Sequence, residues 1–263
     1  MSVVDKIRKP RRDEEMRMEL TEHLGELRSR IVRSMIYLIV ASSVSYYKFE
    51  PLYAWLFRPM TGAMKIAKMD YKIVFHNIPD AFFVVIQVSI VAGIIVALPF
   101  IITELYGFIG PALTKEEKRP LKWVIPSSIF LFFLGVGLAY WTAKFAFIWF
   151  VDFVRLFPEG VLYQEPKAYV MFMLKLMGIF GLVFQLPVML MFLAWIGLIR
   201  SAGMKKTWRH AILAISVVGL IITPSNDWFT MLMMIVPVIG LYIISIFLVQ
   251  IIEKKRDKRL AKL

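Results

Sequence analysis

Long apolar stretches separated by short charged segments run the length of this chain. A hydrocarbon layer of about 30 Å needs roughly 20 helical residues to cross it. The first stretch, between Arg33 and Lys48, is short, but both flanking cations can snorkel outward and lengthen it. The second runs from Asp80 to Glu104 and opens after Pro79, a residue suited to a first helical turn. The third lies between Lys122 and Lys144 and continues to Phe150. A fourth starts near Tyr169, carries Lys175 close to its start, and is uncharged from Leu176 to Ile199. The fifth, HAILAISVVGLIITP, offers a helix of only about 21 Å before Pro224. The sixth runs from Trp228 to Ile252 and contains Pro237 and Gly240. The pattern predicts an all-α polytopic membrane protein with six transmembrane helices.

Alternate polar segments then fall on opposite sides of the membrane. The side holding both termini collects 23 Lys and Arg residues and the other side 8, with Lys175 left inside the fourth stretch. The positive-inside rule therefore places both termini in the cytoplasm. Residues 1–263 read as one membrane domain: a tail over 1–18, six helices within 19–252, and a basic tail over 253–263. The N-terminal tail is too long and acidic for a secretory leader, so the first stretch is expected to stay as an anchor. Around the short fifth helix the bilayer is expected to thin locally.

Composition narrows the chemistry. The chain is 59% hydrophobic yet carries a formal charge of +13, and its mean hydropathy is +0.68. Its cations sit between the apolar stretches, where they orient a membrane protein rather than bind nucleic acid. With no cysteine, disulfides and thiolate metal sites are excluded. His23, His76 and His210 lack ligand spacing, so no metal is expected. No nucleophile elbow, phosphate loop or triad order appears, which argues against an enzyme and against a cofactor.

What remains is polar residues at membrane edges. In HLGELRSR, residues His23 to Arg30, a helix would place Leu20, Leu24, Leu27 and Ile31 on one face and Glu19, His23, Glu26 and Arg30 on another. One reading is a solvated interfacial helix with an i, i+4 pair between Glu26 and Arg30. The other is that Glu26 accepts a cationic partner, kept ionised by Arg28 and Arg30. Glu116 and Glu117 precede the third stretch, and Thr114 to Glu117 has capping-box spacing, so a structural Glu117 is equally open. Gln185, inside the fourth stretch, is either an interhelical hydrogen-bonding residue or an active polar group. A small-solute transporter with a midplane polar site is the rival class, although its usual mark is ionisable residues within symmetry-related broken helices.

Taken together, HLGELRSR, GFIGPALTKEEKR, FGLVFQLP and TPSND, in this order from about Glu19 to Ile252, resemble the successive signatures of the TatC family. This is the multispanning receptor subunit of the twin-arginine (Sec-independent) protein translocase. The resemblance implies a cup-like bundle with short fifth and sixth helices in the cytoplasmic (inner) membrane of a prokaryote. It implies binding of twin-arginine signal peptides of folded proteins, recruitment of TatA/TatB-type single-span subunits, homo-oligomerisation in the active complex, and transport driven by the protonmotive force. By motif, Glu26 and Glu117 correspond to the arginine-recognising carboxylates, and Leu27, Arg28, Phe108 and Pro111 belong to the same surface. A guanidinium offers a carboxylate two parallel charge-assisted bonds, which an ammonium cannot match. Two positions depart from the family pattern: Gln185 stands where glutamate is usual, and Met231 where glutamine usually follows the acidic residue matched by Asp227. Gln185 is then expected in a concave pocket against a partner's span. Pro59 and Pro79, on the outer side, read as turn and helix-start residues.

Overall fold

The computed structural model describes the backbone of residues 3–109, 121–157, 162–222 and 228–260, and side-chain surroundings within 23–108, 123–157, 162–220 and 228–254. Helices α1 (Val3–Tyr47) and α2 (Phe49–Ala67) are followed by strand β1 (Tyr71–Ile73) and α3 (Ile78–Ile109). Next come α4 (Leu121–Val154), β2 (Leu162–Gln164), α5 (Pro166–Val183) and α6 (Leu186–Trp195). The short α7 (Ser201–Lys206), α8 (Trp208–Ile222) and α9 (Trp228–Leu260) complete the order. Among the described residues, four segments are long and apolar enough to cross a membrane: Ile78–Phe108, Trp123–Val154, Pro166–Trp195 and Trp228–Lys254. They coincide with the second, third, fourth and sixth apolar stretches. Trp208–Leu220 is a shorter apolar helix, as its 15-residue parent α8 requires.

Two expectations are corrected, and one feature is added. The sixth helix is not short: α9 runs over Trp228–Leu260, and its apolar part alone, Trp228–Lys254, has 27 residues, because Pro237 is accommodated inside the helix without ending it. The chain is mostly helical, as expected, with a short ladder added. Tyr71–Ile73 pairs in parallel with Leu162–Gln164, a three-residue ladder too short to leave a period-two signal in the sequence. Pro59 is not a turn residue but lies buried inside α2.

That proline has a structural consequence. Without an N–H it cannot close the helical bond to the Trp55 carbonyl four residues earlier. Instead the Tyr140 hydroxyl, from α4, donates to that carbonyl at 2.8 Å. The Tyr140 ring stacks on Trp55 with centroids 4.2 Å apart and planes 6° from parallel. At the very next residue, the Tyr169 hydroxyl of α5 donates to the Leu56 carbonyl at 2.7 Å. Two tyrosines thus fasten α2 to the bundle, while Leu56, Phe57, Met60 and Met64 pack into the main core with Phe132, Met173, Met177 and Phe180.

The longest seam joins α1 to α3. Arg30 meets Glu104, Tyr37 meets Phe100 and Ser42 meets Gly93, so the two helices run antiparallel. A Cβ at position 93 would collide with the Ser42 backbone, and glycine there lets the helix axes approach closely. The opposite face of α1 exposes Ile31, Met35, Ile39 and Val40, apolar surface that suits lipid contact.

Tyr140→Phe is expected to keep the ring stack but orphan the Trp55 carbonyl, costing about 1 kcal/mol. In a Pro59→Ala background the new N–H can serve that carbonyl, and the cost should shrink. A thermal-unfolding double-mutant cycle on the detergent-solubilised protein reads this coupling. A local thinning of the bilayer at α8 makes a second prediction. Lengthening α8 by six apolar residues should impair function while the chain still inserts, and full function would contradict thinning.

Candidate functional site

Glu26, Arg30, Arg33 and Tyr37 follow one another at spacings of four, three and four, which places them along one face of α1. That face lies against the end of α3 that carries Glu104, Gly107 and Phe108. The Arg30 guanidinium donates through Nε and Nη2 to Glu26 Oε1, at 3.0 and 2.6 Å. Through Nη1 it reaches Glu104 Oε2 at 3.0 Å and the Glu104 carbonyl at 3.4 Å. Arg33 Nη1 and the Tyr37 hydroxyl both lie 3.4 Å from Glu104 Oε1 as donors. A Cβ at position 107 would fall against the Arg30 guanidinium, so Gly107 supplies the room in which it sits.

Burial grades across the cluster. The Glu104 side chain is 10% exposed, Arg30 20% and Glu26 29%. A carboxylate as covered as Glu104 is stable only with its lone pairs satisfied and its charge matched. Two guanidiniums and a hydroxyl do this here, and the four ionic groups sum to zero. The bond to Glu26 is also the largest factor that raises the Arg30 pKa above its ordinary value.

At the outer edge of the cluster the His23 ring stacks on Phe108, with centroids 4.4 Å apart and planes 17° from parallel. This contact places Phe108 beside the turn that holds Glu26. Leu27 is half-buried and Arg28 exposed. Glu117, Pro111 and Asp227 lie outside the described residues. Met231 is half-buried in the first turn of α9, and Pro59 belongs to α2, well away in sequence and packing. Glu26, Leu27, Arg28 and Phe108 are therefore brought to one end of the α1 and α3 pair.

Gln185 occupies a separate place, the break between α5 and α6 that Pro187 enforces at the start of the second helix. Its Oε1 accepts from the Ser128 hydroxyl of α4. Its Nε2 donates to the Ser128 carbonyl at 3.1 Å and the Gly181 carbonyl at 3.4 Å. Next to it, between α5, α6, α8 and α9, opens an apolar cavity of about 380 Å³ lined by Leu182, Val183, Leu186, Val218 and Ile235 among others. Among the described residues no group of three or more His, Cys, Asp or Glu is placed to hold a metal ion.

Sequence reasoning missed Glu104, which served only as the boundary of an apolar stretch. The available signal was its position: a carboxylate that ends an uncharged run of this length sits at a membrane edge and needs a cation, and α1 carries two on its matching face.

A family model described as Sec-independent protein translocase protein (TatC) matches residues 22–237. The protein of that name from Desulforapulum autotrophicum is 36% identical over 245 residues, covering 93% of this chain and 88% of its own. Its counterpart from Synechocystis sp. is 35% identical over 242 residues, with 92% and 91% covered. A solved structure described as the Twin Arginine Translocase Receptor TatC superposes with a TM-score of 0.75 at 30% identity, over 88% of this chain and 99% of that one. Sequence family, relatives and fold agree: the chain belongs to the TatC family of Sec-independent protein translocase proteins, and is a multi-pass membrane component of protein transport rather than an enzyme.

Proposed function

We propose that this chain is the receptor of a twin-arginine translocase in the cytoplasmic membrane of a prokaryote. It crosses the membrane six times with both termini in the cytoplasm, and it binds signal peptides where α1 meets α3. The observation that carries this reading is the state of Glu26, a half-covered carboxylate that already grips a guanidinium through two donors. A site built to hold one arginine side chain has the chemistry to hold another. Leu27, Arg28 and Phe108 share the end of the α1 and α3 pair with Glu26, and by motif Pro111 belongs to the same recognition surface and Glu117 is the second carboxylate. An exposed ion pair contributes only about 0 to 1 kcal/mol, so the apolar part of the peptide adds affinity along the spans.

Single-span partners of the TatA/TatB type dock on the bundle, several copies of the receptor associate, and the protonmotive force drives transport. By motif, Asp227 and Met231 are assigned to partner contact or to structure on the outer side. Gln185 acts first as a clasp between α4 and the α5–α6 break, because its amide is engaged on both atoms by Ser128. That engagement also weighs against a small-solute transporter, which would need the same residue free as a midplane site.

Glu26→Lys and Glu117→Lys are each expected to abolish photocrosslinking to a twin-arginine signal peptide in membranes where the variant still inserts. Unchanged crosslinking in both would remove the recognition role. For the clasp, Gln185→Leu and Ser128→Ala should show a coupling of about 0.6 to 2 kcal/mol in an unfolding cycle. A coupling of zero would show that the two side chains do not depend on each other.

A further inference from the structure

Glu26, which this reading makes a reader of incoming arginine, is already occupied. Both donors that Arg30 gives it land on Oε1, and among the described residues Oε2 accepts no bond. An arriving cation therefore finds one free oxygen. The parallel two-bond grip that distinguishes a guanidinium from an ammonium needs both.

We infer that Arg30 is a resident placeholder on Glu26, and that two-point binding of a signal-peptide arginine proceeds by displacing it onto Glu104. The inference rests on the receptor reading above. Glu104 is fitted to receive the displaced side chain. Its Oε1 is fixed by Arg33 and Tyr37, its Oε2 already faces Arg30 Nη1 at 3.0 Å, and its own carbonyl lies on the same side. The guanidinium that leaves Glu26 is thus not stranded without a partner, and it keeps the room beside Glu104 that the missing Cβ of Gly107 leaves it. Arg30 and Glu104 become positioning residues for the site: one keeps Glu26 closed at rest, and the other lowers the cost of opening it.

The test titrates labelled twin-arginine and twin-lysine signal peptides into the full-length protein in nanodiscs. Arg30→Gln should bind the twin-arginine peptide about fivefold tighter, the size of a half-buried ion pair no longer broken. Arg30→Lys, which keeps the charge but loses the two-donor grip on Oε1, should also tighten it, by about threefold. The twin-lysine peptide, whose one-point contact needs no displacement, should change by less than about twofold. Glu104→Gln should weaken twin-arginine binding, and adding Glu26→Gln to Arg30→Gln should erase the gain. Equal gains for both peptides, or a gain in Arg30→Gln with none in Arg30→Lys, would reduce the effect to bulk charge and overturn the placeholder. Weaker or unchanged binding in both Arg30 variants would overturn it too. If Glu26→Gln alone leaves twin-arginine binding intact, the receptor reading itself falls. If that variant weakens binding while the Arg30 variants do nothing, only the placeholder falls.

Discussion

A carboxylate held out of water must be met by cations, and Glu104 imposes that condition on the whole α1 and α3 seam. It sits at the end of a helix whose preceding residues are uncharged back to Asp80, and only 10% of its side chain is exposed. Arg30, Arg33 and Tyr37 can all reach it only if α1 lies antiparallel along α3 in one register. Close approach at Ser42 and Gly93 fixes the same register from the other end of the seam. Apolar contact alone would allow α1 to slide on α3, since lipid competes equally for its surface. The polar cluster and the glycine contact together remove that freedom. The recognition residues inherit their placement from it, because Glu26 is one turn from Arg30 and Phe108 one turn from Glu104.

The opposite side of the bundle is fastened by a different device. Pro59 frees a carbonyl in α2, Tyr140 takes it, and Tyr169 takes its neighbour. At the α3 and α5 starts, Lys167 donates to the buried Asp80 at 3.1 Å, with Asn77 donating to the same carboxylate through its backbone. Farther along the chain, Glu253 of α9 accepts from the Ser201 backbone N–H at 3.0 Å and from its hydroxyl, which caps α7. Each polar clasp joins elements far apart in sequence at an end of the bundle. The middle is left to Phe132, Met173, Met177, Phe180 and their apolar neighbours.

The long helices were legible because a run of twenty apolar residues has few alternatives in a membrane protein. The short α8 was signalled by Pro224, whereas the α5–α6 break near Pro187 was read as part of one continuous stretch. Pairings were not legible. Nothing local in the sequence links Arg30 to Glu104 across 74 positions, or Pro59 to Tyr140 across the second apolar stretch. Helix α2 escaped because a proline near its middle reads as an interruption, and only a tertiary donor makes it tolerable. At the site, motif resemblance picked out Glu26 and Phe108, which the fold brings together. It passed over Glu104, whose importance lies in its partners rather than in its neighbours along the chain.

The central claim is that paired arginines are read where α1 meets α3. A photoreactive residue at Leu24, which is exposed one turn before Arg28 at the same end of α1 as Glu26, tests it most directly against the same probe at Met231 on α9. With a signal peptide mass-mapped after irradiation, the account predicts adducts from position 24 within a few residues of the paired arginines, and none to those residues from position 231. Adducts to the arginine pair from position 231, with none from position 24, would contradict it.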